Sequence, residues 1–236
     1  MFRNNDISDG GRLVLLEAPD DVVISLADCK KALGISDTSS DLVINAALST
    51  VIANLDPASG GWLGRALRPQ SWELQLHSFN DRRHALRPYY NTQAIALPYP
   101  PLISVDSVRY LDANGNDTLM TAGTDYRILG QGVPLGISAI APLYSKTWPV
   151  ARIDDASVRI QFTAGYDDDV NATPPQLIQA ICLGVRALLP LMQRDAMLME
   201  DRVEGLGWKR YQNNPQFVAP ILQNAIGGLL ANLRVY

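Results

Sequence analysis

The spacing of apolar residues changes twice along the chain, from a helical period to an alternating one and back again. Ile44, Ala47, Leu48, Val51, Ile52 and Leu55 recur at the three/four spacing that predicts an amphipathic helix. A shorter helix is predicted ahead of it over Leu26 to Gly34: Ser25 suits the N-cap, Asp28 the first turn, Lys30 and Lys31 the last turn, and Gly34 the stop. Pro57 and the pair Gly60-Gly61 are expected to interrupt or kink the long helix before Trp62 to Leu67, and Pro69 to close this helical part.

From Ser71 the period becomes two. Trp72, Leu74 and Leu76 alternate with Glu73, Gln75 and His77, the signature of a half-buried strand. Further strands are predicted at Ala94 to Leu97, around Val105 to Tyr110, at Thr118 to Met120 after the Asn-Gly turn of Asp112 to Asn116, at Tyr126 to Leu129, at Ile137 to Ile140, and over Val158, Ile160 and Phe162. The helical period returns at Thr173-Pro174-Pro175, with Leu177, Ile178, Ile181, Cys182, Val185, Leu188 and Leu189 on one broad face until Pro190. Glu200 to Pro215 reads as a loop or arm, and a last helix is predicted from about Val218 to Leu233. The fold class expected from this order is α+β: a helical core of long amphipathic helices with a β-rich inserted domain. The domains would be an extension over 1–24, a helical core over 25–70 and 171–236, and the insertion over 71–166.

Composition narrows the function classes. The 236 residues are 47% hydrophobic and 19% charged, enough apolar material for a proper core. With 20 Lys+Arg against 24 Asp+Glu the formal net charge is -4, so no global positive field exists to coat DNA. Cys29 and Cys182 are too few for a disulfide framework or a Cys-rich zinc site; they fit a reducing compartment. The polar start, Met1 to Gly11, does not read as a secretory signal, and no apolar stretch approaches the length of a membrane helix. A soluble protein made in the cytoplasm, without membrane contact, is the expectation.

The search for chemistry returns little. His77 and His84 have no metal-ligand spacing, and neither a G-x-S-x-G nor a G-x-x-x-x-G-K-[ST] motif is present. Gly130, Gly132 and Gly136 lack the spacing of a phosphate loop, and Asp167-Asp168-Asp169 lacks that of a calcium loop. Arg82, Arg83, His84 and Arg87 beside Tyr89 and Tyr90 form one basic, aromatic cluster, read more simply as a polar loop or a protein contact. Cys29 and Cys182 lie on apolar helix faces with no activating base in view, so neither reads as a nucleophile. No catalytic residue, metal or cofactor is expected.

Several phrases, in order, resemble those of phage head-tail connector (adaptor) proteins. Trp62-Leu63-Gly64-Arg65-Ala66-Leu67-Arg68-Pro69-Gln70-Ser71-Trp72-Glu73-Leu74 is similar to the family's helix end running into a first strand. Ile95-Ala96-Leu97-Pro98-Tyr99-Pro100-Pro101-Leu102-Ile103-Ser104-Val105-Asp106-Ser107-Val108-Arg109-Tyr110 resembles its most specific stretch. Thr124-Asp125-Tyr126-Arg127, Lys146-Thr147-Trp148-Pro149 and Val158 to Tyr166 follow in the family's order, before Pro174-Pro175. The matching phrases span most of residues 25 to 189; after Pro190 the chain departs, with a longer arm.

The resemblance implies a structural virion protein of the neck, not an enzyme. It would form a ring, dodecameric in the family, below the portal protein, extend the channel through which genomic DNA passes, and dock a stopper or tail-completion protein. An acidic chain suits such a channel, since like charge keeps phosphates from sticking. The carboxyl-terminal segment of such adaptors reaches the portal, which makes Phe217, Leu222, Leu229, Leu230, Leu233, Arg234 and Tyr236 the candidate portal-binding residues. The same amphipathic segment could instead close the subunit's own core. Two further readings stand beside the adaptor: a stopper or tail-completion neck protein, and a small cytosolic metal-dependent enzyme using Asp125, Tyr126, Asp167 and Asp168.

Overall fold

Alternation and capping carry over directly into the computed structural model, which describes residues 11–80, 93–133, 136–167, 171–192, 200–203, 207–210 and 226–235. The chain divides into a larger unit, Met1–Val22, Leu55–Thr173 and Val235–Tyr236, and a smaller one, Val23–Asn54 and Pro174–Arg234.

The larger unit is built on two antiparallel sheets. The first has five strands in the order β1 (Gly11–Glu17), β2 (Gln70–Leu76), β8 (Val158–Ala164), β4 (Leu102–Leu111) and β5 (Asp117–Met120). The second has three, β3 (Ile95–Leu97), β7 (Ser138–Pro142) and β6 (Tyr126–Leu129). In β8 every second residue is buried, and Trp72, Leu74 and Leu76 of β2 stand opposite Phe162, Ile160 and Val158. Register is fixed because a one-residue slip would turn this whole row to solvent. The two sheets share one core, in which Ile95, Leu97 and Ile140 join the apolar face of the first sheet. β4 shifts register against β8 between Leu102 and Ser104 and again between Val105 and Ser107, an irregularity that bends the strand.

The opposite face of the five-stranded sheet is held by polar ladders. Ser71 and Thr163 are in hydrogen-bond contact at 3.2 Å, and the Thr163 hydroxyl donates to Asp106. Gln75 and Gln161 both donate to the nearly buried Glu73, at 2.6 and 2.9 Å, and Arg109 and Arg159 both reach Asp117 at 2.9 Å. Some desolvation works against ionisation of Asp117, but the two arginines hold its carboxyl below the ordinary range.

The smaller unit holds α1 (Leu26–Leu33), most of α2 (Asp41–Leu55), α3 (Pro175–Met192), the hairpin of β9 (Glu200–Val203) and β10 (Gly207–Arg210), and a helical turn over residues 226–230. α1 begins where expected: the Ser25 hydroxyl accepts from the Asp28 N–H at 3.0 Å, and Gly34 closes the helix at φ 72°. On α2, Ile44, Ala47, Leu48 and Val51 are buried, the three/four stripe read from the sequence. Gly184 lets α3 come close to its neighbours, since a Cβ there would lie 2.9 Å from both Ile226 and Val51. Pro190 is accommodated inside α3, which runs on to Met192.

The expected helical core of long amphipathic helices is corrected by the structure: the chain is mostly sheet, and its helices are short. The error concentrates at residues 57–69. There a single 3-10 turn, Pro57–Ser59, is followed by irregular chain in which Leu63, Ala66 and Leu67 are nonetheless fully buried. Gly60 and Gly64 take φ 80° and 71°, a conformation that ends helices, and the buried Asp56 carboxylate accepts from the Ala58 and Leu67 N–H groups that a helix would have used internally. The edge strand β1 comes from residues that had been expected as an extension, and the β9–β10 hairpin from the expected arm. Of the expected last helix, residues 226–230 are helical and 218–225 lie outside the described residues.

Candidate interaction surfaces

Three of the four groups of the enzyme reading take up local, structural roles. Asp125 Oδ2 accepts from the Thr121 N–H at 2.9 Å and Asp167 Oδ1 from the Asn171 N–H at 2.7 Å, so both carboxylates close turns. Tyr126 is buried in the sheet core, and that burial pushes its hydroxyl pKa up. Asp168 lies outside the described residues, as do Asp169 and the basic cluster Arg82, Arg83, His84, Arg87 with Tyr89 and Tyr90. Among the described residues no group of three His, Cys, Asp or Glu side chains is placed to hold a metal ion. His77 is exposed, 3.2 Å from Asp155.

Surfaces built for contact are easier to find. The connection between β7 and β8 displays Tyr144, Val150 and Ile153 with 92%, 83% and 85% of their surface in water. Yet this connection is firmly held. Trp148 stacks on Phe79 with ring centroids 4.7 Å apart, its indole N–H donates to Gln93 O at 2.6 Å, and the Arg152 N–H donates to Leu111 O at 2.9 Å. Ser145 and Ala156, at φ 66° and 52°, are held in a conformation that non-glycine residues adopt only at a cost. Large apolar side chains on a rigid support present contact area without an ordering penalty.

A second surface lies in the smaller unit, where α1 and α3 enclose a groove of about 380 Å³. Ala32, Leu33, Ile178 and Leu183 supply apolar walls, and Gln179, Cys182 and Arg186 line it along α3. Cys29, on α1, is wholly buried. Burial, with the neighbouring Cys182, pushes the Cys29 thiol up to about 11. Burial also raises Cys182, against a smaller opposing effect of the neighbouring Cys29 thiol.

The candidate portal-binding residues divide by exposure. Leu230 and Leu233 are buried inside the chain, Leu229 is half-buried and Arg234 is exposed; Phe217, Leu222 and Tyr236 lie outside the described residues. The Val235 N–H donates to Leu63 O at 3.1 Å, and Gly64 makes room for that approach, since a Cβ there would sit 2.6 Å from Val235 O. No pattern along the chain marks the Tyr144, Val150 and Ile153 display, because exposure of an apolar residue depends on what the fold leaves uncovered.

Solved structures with this fold come from gene transfer agent (GTA) particles. A chain of the virion of a native GTA particle is 20% identical, with a TM-score of 0.59 and 95% of both chains covered. A chain of the neck of an empty GTA particle computed with C6 symmetry is 19% identical at a TM-score of 0.60, covering 95% of this chain and 96% of that one. A chain of the neck of a native GTA particle computed with C12 symmetry is 20% identical at 0.52, covering 94% and 96%. At such identities the likeness establishes a shared fold from end to end. No family model and no curated protein sequence matches the chain.

Proposed function

We propose that this chain is a structural protein of the neck of a tailed, phage-like particle, and specifically a head-tail connector that assembles as a dodecameric ring below the portal. The observation that carries the reading is the end-to-end likeness to chains of GTA necks, one of them computed with C12 symmetry. The adaptor-like phrases from Trp62 to Tyr166 support it independently, because they were read from sequence alone. No catalytic step is assigned to the chain. A cyclic ring needs two unlike, complementary faces on each subunit. The Tyr144, Val150 and Ile153 display and the α1–α3 groove are two such unlike apolar surfaces, available to neighbouring copies or to other virion proteins. In this reading the exposed Arg234 and half-buried Leu229 belong to the portal-facing end, a stopper or tail-completion protein docks on the other side, and genomic DNA passes through the lumen. Assembly without this chain tests the proposal: DNA-filled heads that carry a portal but no tail are expected, and complete, infectious or transducing particles would overturn it.

A further inference from the structure

We propose that the α1–α3 groove of one copy of this chain receives the β7–β8 connection of a second copy: Val150 and Ile153 seat against Ile178 and Leu183, and Asp155 pairs with Arg186. The contact rests on the ring reading above and specifies which two unlike faces meet. The surfaces fit in shape. Val150 and Ile153 stand almost bare to water, while the groove is a recess of about 380 Å³ with Ile178 and the exposed Leu183 in its walls. That volume lies within the range of about 300–1,000 Å³ that encloses a compact apolar guest. They also fit in charge. Arg186 is the single charged residue lining the groove, it is exposed, and among the described residues no carboxylate pairs with it. On the connection both cations are already engaged, since Lys146 donates to Thr124 O and Arg152 Nε lies 3.6 Å from Asp154. Asp155 is left, its side chain 95% exposed beside His77.

Charge also decides how copies pair. Two connections face to face bring Asp155 against Asp155, and two grooves bring Arg186 against Arg186, so like charges oppose either symmetric pairing while the unlike pairing joins opposite ones. An unlike pairing leaves one connection and one groove open at the ends, so copies add head to tail until a ring closes. The stacking of Trp148 on Phe79 and the Arg152 N–H bond to Leu111 O hold the connection beforehand, so it enters without first being ordered. A few inserted side chains bury far less than the roughly 1,200 Å² of a stable interface, so a single contact is weak. Closure of the ring, in which every copy is held on both sides, supplies the strength.

Sedimentation velocity of the full-length protein over about 10–500 µM tests the contact with two variants, Ile153→Asp, which spoils the connection, and Leu183→Asp, which spoils the groove. Wild type is expected to grow with concentration past the dimer and each variant alone to stay monomeric. An equimolar mixture of the two is expected to form a one-to-one dimer and stop, because only one intact pairing of groove and connection remains. That dimer also shows that both variants fold. Arg186→Glu is expected to weaken association about fivefold, and adding Asp155→Arg to recover it. Wild type that stays monomeric throughout, either apolar variant dimerising by itself, a mixture of variants with wild-type melting temperatures that stays monomeric, or no recovery on the charge exchange would each overturn the pairing. None of these outcomes involves the portal, so the neck reading stands or falls separately, on portal binding.

Discussion

Replacing Gly165 by alanine tests the packing of the larger unit at its tightest point. Gly165 ends β8 at φ 135°, donates its N–H to Pro101 O at 2.8 Å, and passes so near residues 68–69 that a Cβ would lie 2.1 Å from Arg68 O and 2.7 Å from Pro69 N. The φ alone costs an L-residue about 1–2 kcal/mol. The clash is with backbone, so no rotamer relieves it; β8 and residues 68–69 must separate, with loss of the Pro101 hydrogen bond at about 1 kcal/mol and disturbance of the adjoining Gln70–Ala164 pairing. A total of about 3–4 kcal/mol follows. Gly123→Ala isolates the backbone term, since Gly123 has φ 77° but nothing within 4 Å of its would-be Cβ. Urea unfolding followed by tryptophan fluorescence reads the effect, because Trp72 and Trp148 are buried in that core. The midpoint is expected to fall by about 1–2 M for Gly165→Ala, with the slope unchanged, and by less than half as much for Gly123→Ala. Equal shifts for the two variants would refute the clash argument.

Three other perturbations follow from the same geometry. Asp56 is buried, and burial raises its carboxyl pKa despite the N–H groups of Leu67 and Ala58 and the Gln70 amide that it accepts from. A raised folded pKa contributes stability that is complete below the unfolded value, about 3.9, and is lost as pH rises through the folded one. Asp56→Asn should therefore cost about 1–3 kcal/mol, with the gap to wild type narrowing as pH rises from 4; a gap that widens over that range contradicts the assignment. Ser25→Ala removes the cap on the Asp28 N–H and should cost about 1 kcal/mol, measured by thermal or urea unfolding, with no loss counting against it. Tyr144→Asp with Ile153→Asp should leave the isolated chain within about 0.5 kcal/mol of wild type while sharply reducing its incorporation into particles, since both side chains are solvent-exposed. Normal incorporation would show that this surface makes no assembly contact.

What the sequence showed best was local. The Ser25 cap, the Gly34 stop and the strict alternation of β8 each depend on a few neighbouring residues, and each stands in the structure as read. Sequence reading failed where distant chain decides the outcome. Trp62 to Leu67 is apolar enough for a helix face, but Asp56 accepts the Leu67 N–H and Val235 donates to Leu63 O, so its backbone is satisfied by partners outside any helix. The Gly11–Glu17 strand lies, among the described residues, at a sheet edge whose pairing partner, Gln70–Leu76, comes much later, and its Leu-Val-Leu-Leu run does not alternate. Extending the helical period through Trp62 to Leu67 contributed to the overestimate of the helical core. Cys29 and Cys182 each stand on a buried helix face, as the apolar spacing predicts, but what covers those faces depends on the packing of α1 on α3.

Native mass spectrometry of the full chain, alone and mixed with the portal ring of its own particle, tests the connector reading most directly. The account predicts a closed complex with this chain in cyclic, dodecameric stoichiometry on the portal. A chain that ignores the bare portal but joins one already capped would identify a stopper instead, and a monomer indifferent to both would contradict the neck assignment altogether.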